Sequence, residues 1–158
     1  MFRHLDLHIS LLTHADVDAC FAIGTSLPSW FGDEVGLAEM RRSLAMDEGY
    51  VARIHDRVVG FVTCARPFVE TWEIAWLAVV EDLHRRGVGR KLVDAVIAKA
   101  HSECVSMLTV KTLADTHPSP EYAETRAFYA GIGFVRIVAL PEYWSRDNPC
   151  LILARSLD

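Results

Sequence analysis

Residues 72–92, WEIAWLAVVEDLHRRGVGRKL, join three local signals in one continuous stretch. An apolar run with one embedded carboxylate, Glu73, reads as a strand. A short charged turn follows, then Gly87 and Gly89 one residue apart, and then an amphipathic helical pattern. A strand that hands over to a helix through such a turn leaves the first N–H groups of the helix without intrahelical partners. The macrodipole adds partial positive charge at the same end. The glycines allow close backbone approach, and Arg85, Arg86, Arg90 and Lys91 surround the spot with cations. An anion, and a phosphate above all, suits that position. The plainer reading is a helix start whose arginines face solvent.

The rest of the chain predicts one mixed α/β domain over residues 1–158, and 51% hydrophobic residues suit a well-packed core. Residues 7–12 begin as a strand, and Thr13 or Asp16 can open a helix over about 15–26. Leu27-Pro28 breaks that helix, because the residue before proline disfavours the helical region. A second helix is predicted over about 34–46. YVARIH and VVGFVTCA read as a hairpin across Asp56-Arg57. Then come a strand at about 71–80, a helix at about 87–102 and a strand at about 106–112. ADTHPSPEY is a proline-bearing loop before a helix at about 120–131, which Gly131 and Gly133 stop in the C-cap manner. FVRIVAL and PCLILARSL close the chain as two strands. The order β-α-α-β-β-β-α-β-α-β-β places helices against a central sheet.

Several functions are disfavoured by composition. A formal net charge of −5 speaks against nucleic-acid binding, which needs a basic face, and favours an amine-bearing small substrate. No apolar run reaches the roughly 20 residues that span a bilayer, so no membrane partner is expected. The N-terminal MFRHLDLHIS lacks a signal-peptide pattern, so a cytoplasmic location is expected. Cys20, Cys64, Cys104 and Cys150 form no C-x-x-C pair and read as small core residues. His4 and His8 have i, i+4 spacing, but in extended chain that spacing does not converge, so no metal site is expected.

Two nucleotide folds are set aside. The G-x-x-x-x-G-K-[ST] phosphate loop is absent, and Gly87-x-Gly89 lacks the third glycine of a dinucleotide fold. HRRGVG instead resembles the acyl-CoA pyrophosphate loop, [Q/R]-x-x-G-x-[G/A], of the GNAT superfamily of N-acetyltransferases. RAFYAGIGF, residues 126–134, resembles that superfamily's second signature, a helix ending in F-Y-x-x-x-G-F. The motifs stand in the expected order with a strand between them, and the N-terminal pattern agrees. The resemblance spans nearly the whole chain and implies a central, mostly antiparallel sheet with helices on both faces. His84 departs from the loop pattern, standing where Gln or Arg is usual. A neutral imidazole still donates one hydrogen bond.

The resemblance implies acetyl-CoA as cosubstrate, an amine as acceptor, direct attack in a ternary complex and no metal. By similarity, the backbone of Leu77, Ala78 and Val79 would hold the pantetheine arm and polarise the thioester carbonyl. His84, Arg85, Arg86, Gly87, Val88, Gly89 and Arg90 would wrap the pyrophosphate. Tyr129 falls on the general acid that protonates the departing thiolate; an aromatic packed beneath the sheet, like Phe128 and Phe134, is the other reading. Tyr122, seven residues earlier, replaces an asparagine that many relatives direct at the cofactor. Glu73 shares a strand face with Ala75, Leu77 and Val79, and a partly buried carboxylate there suits a general base. Reaching water at a strand end, or binding the substrate's cation, are the other readings of Glu73, and Glu70, Asp115 and Glu142 are weaker base candidates. Trp30 and Phe31, in PSWFGDE, sit where the family often forms a substrate lid, with Asp33 or Glu34 beside them; an ordinary loop with aromatic anchors is the alternative. Trp144 and Asn148 fall on the last connection. A module that binds or senses acyl-CoA without transfer is the competing function, and a homodimer stays open.

Overall fold

A computed structural model describes residues 5–158, which form seven strands and four α-helices. Across the sheet the first five strands follow chain order and the last two are exchanged, and the residues group into two compact units. The first comprises the chain up to Ala65 together with Ala75–Lys99; the second comprises Arg66–Ile74 and Ala100–Asp158.

In the first unit, β1 (Leu7–Leu11) pairs antiparallel with β2 (Glu48–Ile54), which pairs antiparallel with β3 (Arg57–Ala65). The hairpin turns at His55 and Asp56, one residue earlier than predicted, and His55 takes a left-handed φ of 52°. Thr13 and Asp16 both act as helix openers. Thr13 precedes a 3-10 turn at His14–Asp16, and its N–H donates to Asp16 Oδ2 at 2.9 Å. Asp16 then stands at the N-cap of α1 (Val17–Thr25). Asp33 caps α2 (Glu34–Met46), accepting from Gly36 N–H at 3.0 Å. The core gathers Val17, Cys20, Ile23 and Leu27 with Met40, Leu44, Val51, Phe61 and Ala78. The first four recur at helical spacing, which is why that stretch winds as one amphipathic face.

The second half of β4 (Thr71–Val79) leads through a 3-10 turn at Glu81–Leu83 into α3 (Val88–Ser102). Val88, Leu92, Val93, Val96 and Ile97 line its buried face. Gly60 lets this helix approach β3 closely: a Cβ there would meet Ala78 O at 3.1 Å and Leu92 Cδ1 at 3.2 Å.

In the second unit the first half of β4 runs parallel to β5 (Met107–Leu113). This ladder is four pairs long, from Thr71–Met107 to Ile74–Val110. β5 pairs antiparallel with β7 (Asn148–Ser156), and β7 with β6 (Val135–Ser145). β6 runs five residues past its predicted end, to Ser145, so Trp144 and Asn148 belong to strands and not to a connection. α4 (Pro120–Gly131) starts with Ser119 as N-cap and proline in its first turn, the arrangement those residues favour.

Three of the four cysteines are buried as expected, whereas Cys104 is exposed in the turn after α3. His8 lies 3.0 Å from Asp6, and His4 falls outside the described residues. Among the described residues no group of three His, Cys, Asp or Glu side chains converges as metal ligands would. No described helix is long and apolar enough to cross a membrane.

Candidate functional site

In the first unit the site begins where β4 ends. Leu77 and Val79 are half-buried and Ala78 is buried. Val80 N–H donates to Val59 O at 2.9 Å, and buried Leu83 anchors the 3-10 turn that follows. His84 then folds back: its ring nitrogen Nε2 donates to the Val79 carbonyl at 2.7 Å. A carbonyl only accepts, so the proton sits on Nε2. The imidazole therefore ties the strand exit to the loop through the side chain that departs from the family pattern. Trp30 packs edge-on against this ring at 5.3 Å, and Phe31 against Trp76 at 5.9 Å. The two aromatics thus sit half-buried against the first unit's own core, with the loop's start beneath one of them.

Arg85 and Gly87 take left-handed φ values of 59° and 83°. Two such residues in one short turn swing successive N–H groups to one side, as in an anion-binding nest. A Cβ on Gly87 would meet nothing within 4 Å, so its requirement is conformational, not steric. Gly89 differs: it already lies within α3 at ordinary helical φ. Lys91 N–H donates to Gly87 O at 3.1 Å and opens the helical ladder. The N–H groups of Val88, Gly89 and Arg90 precede it, where a helix has no carbonyls of its own to offer. Arg85, Arg86 and Arg90 are exposed around this end. The chemistry of that donor set fits a pyrophosphate: backbone N–H groups, a helix dipole and several guanidiniums.

In the second unit the F-Y-x-x-x-G-F signature forms a Schellman cap. Phe134 N–H donates to Tyr129 O at 3.0 Å and Gly133 N–H to Ala130 O at 3.2 Å, with Gly133 at φ 95°. The cap's hydrophobic contact is the Tyr129–Phe134 ring pair at 5.3 Å, with Phe128 on Tyr129 at 5.1 Å. Arg155 Nη1 donates to Ile132 O at 2.8 Å and satisfies a further carbonyl at this helix end. Tyr129 is 4% exposed, and burial alone pushes its phenol well above the ordinary value. It therefore keeps its proton at neutral pH. Tyr122 stands two turns earlier on α4, its N–H donating to Ser119 Oγ at 3.3 Å, and burial pushes its phenol up to about 12.

Glu73 lies in the first half of β4, on the face that period two assigns it. Its surroundings are not the apolar ones expected: Oε2 sits 2.6 Å from Lys111 Nζ, with both side chains about a quarter exposed (24% and 27%). Burial lowers the Lys111 ammonium, but the hydrogen bond and charge of Glu73 outweigh it and hold it above its ordinary value. Sequence reasoning missed Lys111. Its signal was there, since it is the sole charged residue of β5, and Glu73 is the sole charged residue of β4.

The other acidic candidates are engaged or outlying. The hydrogen bond from Arg136, 2.8 Å away, holds the exposed Asp115 carboxyl below its ordinary value. Glu142 is exposed on β6, Glu70 is exposed just before β4, and Asp33 caps α2.

Comparison with known proteins bears on the fold and the family. No curated protein matches the sequence. The chain resembles the ribosomal-protein-S18-alanine N-acetyltransferase of Escherichia coli with TM-score 0.77 at 18% identity, covering 96% of this chain and 94% of that one. It resembles the aminoglycoside 6'-N-acetyltransferase of Enterococcus faecium with TM-score 0.74 at 18% identity, covering 96% and 97%. A GNAT family acetyltransferase of Elizabethkingia anophelis, solved with acetyl-CoA bound, gives TM-score 0.71 at 18% identity, covering 96% and 98%. At such identities the likeness is one of fold. The model of the acetyltransferase (GNAT) family matches residues 22–134, most of the sequence, and the chain belongs to that family.

Proposed function

We propose that this protein is an N-acetyltransferase that moves the acetyl group of acetyl-CoA to a primary amine in a ternary complex, without metal and in the cytoplasm. The observation that carries the proposal is the Tyr129 cap, which buries a protonated phenol at the family's acid position and fixes it through the helix end itself.

On this reading the N–H groups at the start of α3, with Arg85, Arg86, Arg90 and the left-handed turn, hold the pyrophosphate. The β4–β5 ladder ends at Ile74 and Val110, and the β4 backbone beyond it, at Leu77, Ala78 and Val79, takes the pantetheine arm. A backbone N–H of this stretch polarises the thioester carbonyl. His84 serves by fixing the strand-to-loop geometry through Val79. By the family resemblance Trp30 and Phe31 are assigned to the acceptor, and Tyr122, on α4, to the cofactor.

The acceptor arrives as an ammonium and yields one proton to Glu73, which passes it to water. The free amine attacks the carbonyl carbon; the C–N bond forms and the C–S bond breaks. The nitrogen sheds its second proton, and the sulfur takes one from Tyr129, which is reprotonated from that pool. Products are the acetamide, CoA thiol and one proton.

Thiol release from acetyl-CoA across a panel of amines tests the proposal. Turnover with at least one acceptor class is expected. A rise in melting temperature with acetyl-CoA but no thiol release would instead support a sensing module. No rise at all would remove the cosubstrate assignment.

A further inference from the structure

The proposed base does not wait alone. Glu73 and Lys111 are the lone charges of two adjacent strands, brought together because β4 and β5 run parallel in register. Glu73 stands opposite Thr109, and Lys111 is the next residue of β5 on the same face. The pair is short, at 2.6 Å, yet open enough to be reached. Besides Glu73, the side chains that act on Lys111 among the described residues are a phenol and a thiol. Lys111 Nζ lies 5.9 Å from the centre of the half-exposed Tyr143 ring. Cys150 on β7 is buried, with burial pushing its thiol up and so keeping it neutral. The locale thus offers one anion and one cation side by side, with no net charge.

That arrangement constrains the acceptor. Lys111 holds one oxygen of Glu73, Oε2, so a ligand bearing only an ammonium either displaces Lys111 or takes the other oxygen beside it. Either way a second cation comes to lie next to a partly buried lysine, with one carboxylate between them. A polyamine or aminosugar gains nothing to offset this. A ligand with an amine and a carboxylate close together restores both pairs at once, its ammonium on Glu73 and its carboxylate on Lys111. We infer that the acceptor is a small zwitterion of the amino-acid class, and that Lys111 is the residue that selects it. The inference rests on the placement of Glu73 at the acceptor amine proposed above.

Matched pairs of probes test it: L-lysine against cadaverine, L-ornithine against putrescine, L-phenylalanine against phenethylamine, each followed by thiol release. For the wild-type protein kcat/KM is expected to be at least about tenfold higher for the amino acid of a pair. Lys111→Met should erase that preference by raising KM for the amino acid about tenfold and lowering KM for the amine. Lys111→Arg should keep the preference. A wild-type preference for the decarboxylated amines overturns the inference, and so does a Lys111→Met effect that is equal on both members of a pair. The wild-type comparison stands even where a variant does not fold. If no probe releases thiol, acetyl transfer to these amines fails as a reading, and the selectivity is then read by binding. A melting-temperature rise with the amino acid but not the amine, lost in Lys111→Met, upholds the role of Lys111, and the absence of such a difference removes it.

Discussion

The loop at the start of α3 and the cap at the end of α4 solve opposite problems with the same backbone device. Each uses a glycine at positive φ next to a helix terminus, Gly87 at 83° and Gly133 at 95°. At Gly87 the device opens the chain outward: a Cβ would meet nothing, and the neighbouring arginines are exposed. At Gly133 it closes the chain inward, docking Phe134 on Tyr129 and closing hydrogen bonds on the Tyr129 and Ala130 carbonyls. The helix N-terminus is left electrostatically unsatisfied, which suits an anionic ligand. At the C-terminus the carbonyls of Tyr129, Ala130 and Ile132 all accept hydrogen bonds, which suits a neutral, fixed proton donor.

Substitutions can sharpen that contrast. Tyr129→Phe keeps the ring packing of the cap and removes only the hydroxyl. It should lower kcat by about 100-fold or more while leaving the acetyl-CoA melting shift intact; unchanged turnover would exclude Tyr129 as the acid. Gly87→Ala should weaken acetyl-CoA binding by up to about tenfold, because a left-handed Cβ costs about 1–2 kcal/mol and the open loop relaxes to avoid it. The melting temperature without ligand should barely move. Gly133→Ala carries the same backbone cost but cannot relax without undocking Phe134, so it should lower the melting temperature by several degrees, at about 2–4 °C per kcal/mol for a chain of this size. Calorimetry on the two variants would break the comparison if both losses fell on stability or both on affinity.

Raising ionic strength from about 0.05 to 0.5 M should weaken acetyl-CoA binding several-fold through screening of the exposed arginines, with no effect on the cap. Isothermal titration at both salts reads this directly. The smallest effect concerns Lys111, whose folded-state value is raised. Its stabilising contribution is complete below the ordinary lysine value and is lost as pH rises through the folded one. Melting curves of wild type and Lys111→Met should therefore differ by a constant amount at neutral pH and converge only in strong alkali.

What the sequence made legible followed from local chemistry. The predicted span of α2 coincides with the observed Glu34–Met46 because Asp33 caps it, and α4 begins at Pro120 because Ser119 and Pro120 open a helix unambiguously. The strand–turn–helix of the loop was readable for the same reason. β6 was predicted too short because nearly all of it is exposed, so its far half shows none of the alternation that marks a half-buried strand. Of the Lys111–Glu73 pair, each lone charge in its strand was legible, but their meeting was not, because it depends on a parallel register that no local pattern encodes. The division into two units was hidden for a related reason. It cuts through β4 between Ile74 and Ala75, inside a run that reads as one uniform strand.

The contact between Trp30 and His84 has an optical consequence. An indole's emission depends on the polarity and charge at its edge, and here that edge is the first side chain of the loop. Trp30 is therefore a built-in fluorophore at the mouth of the anion cradle. With Trp72, Trp76 and Trp144 changed to phenylalanine, its emission would report loop occupancy in real time, without any label on the ligand.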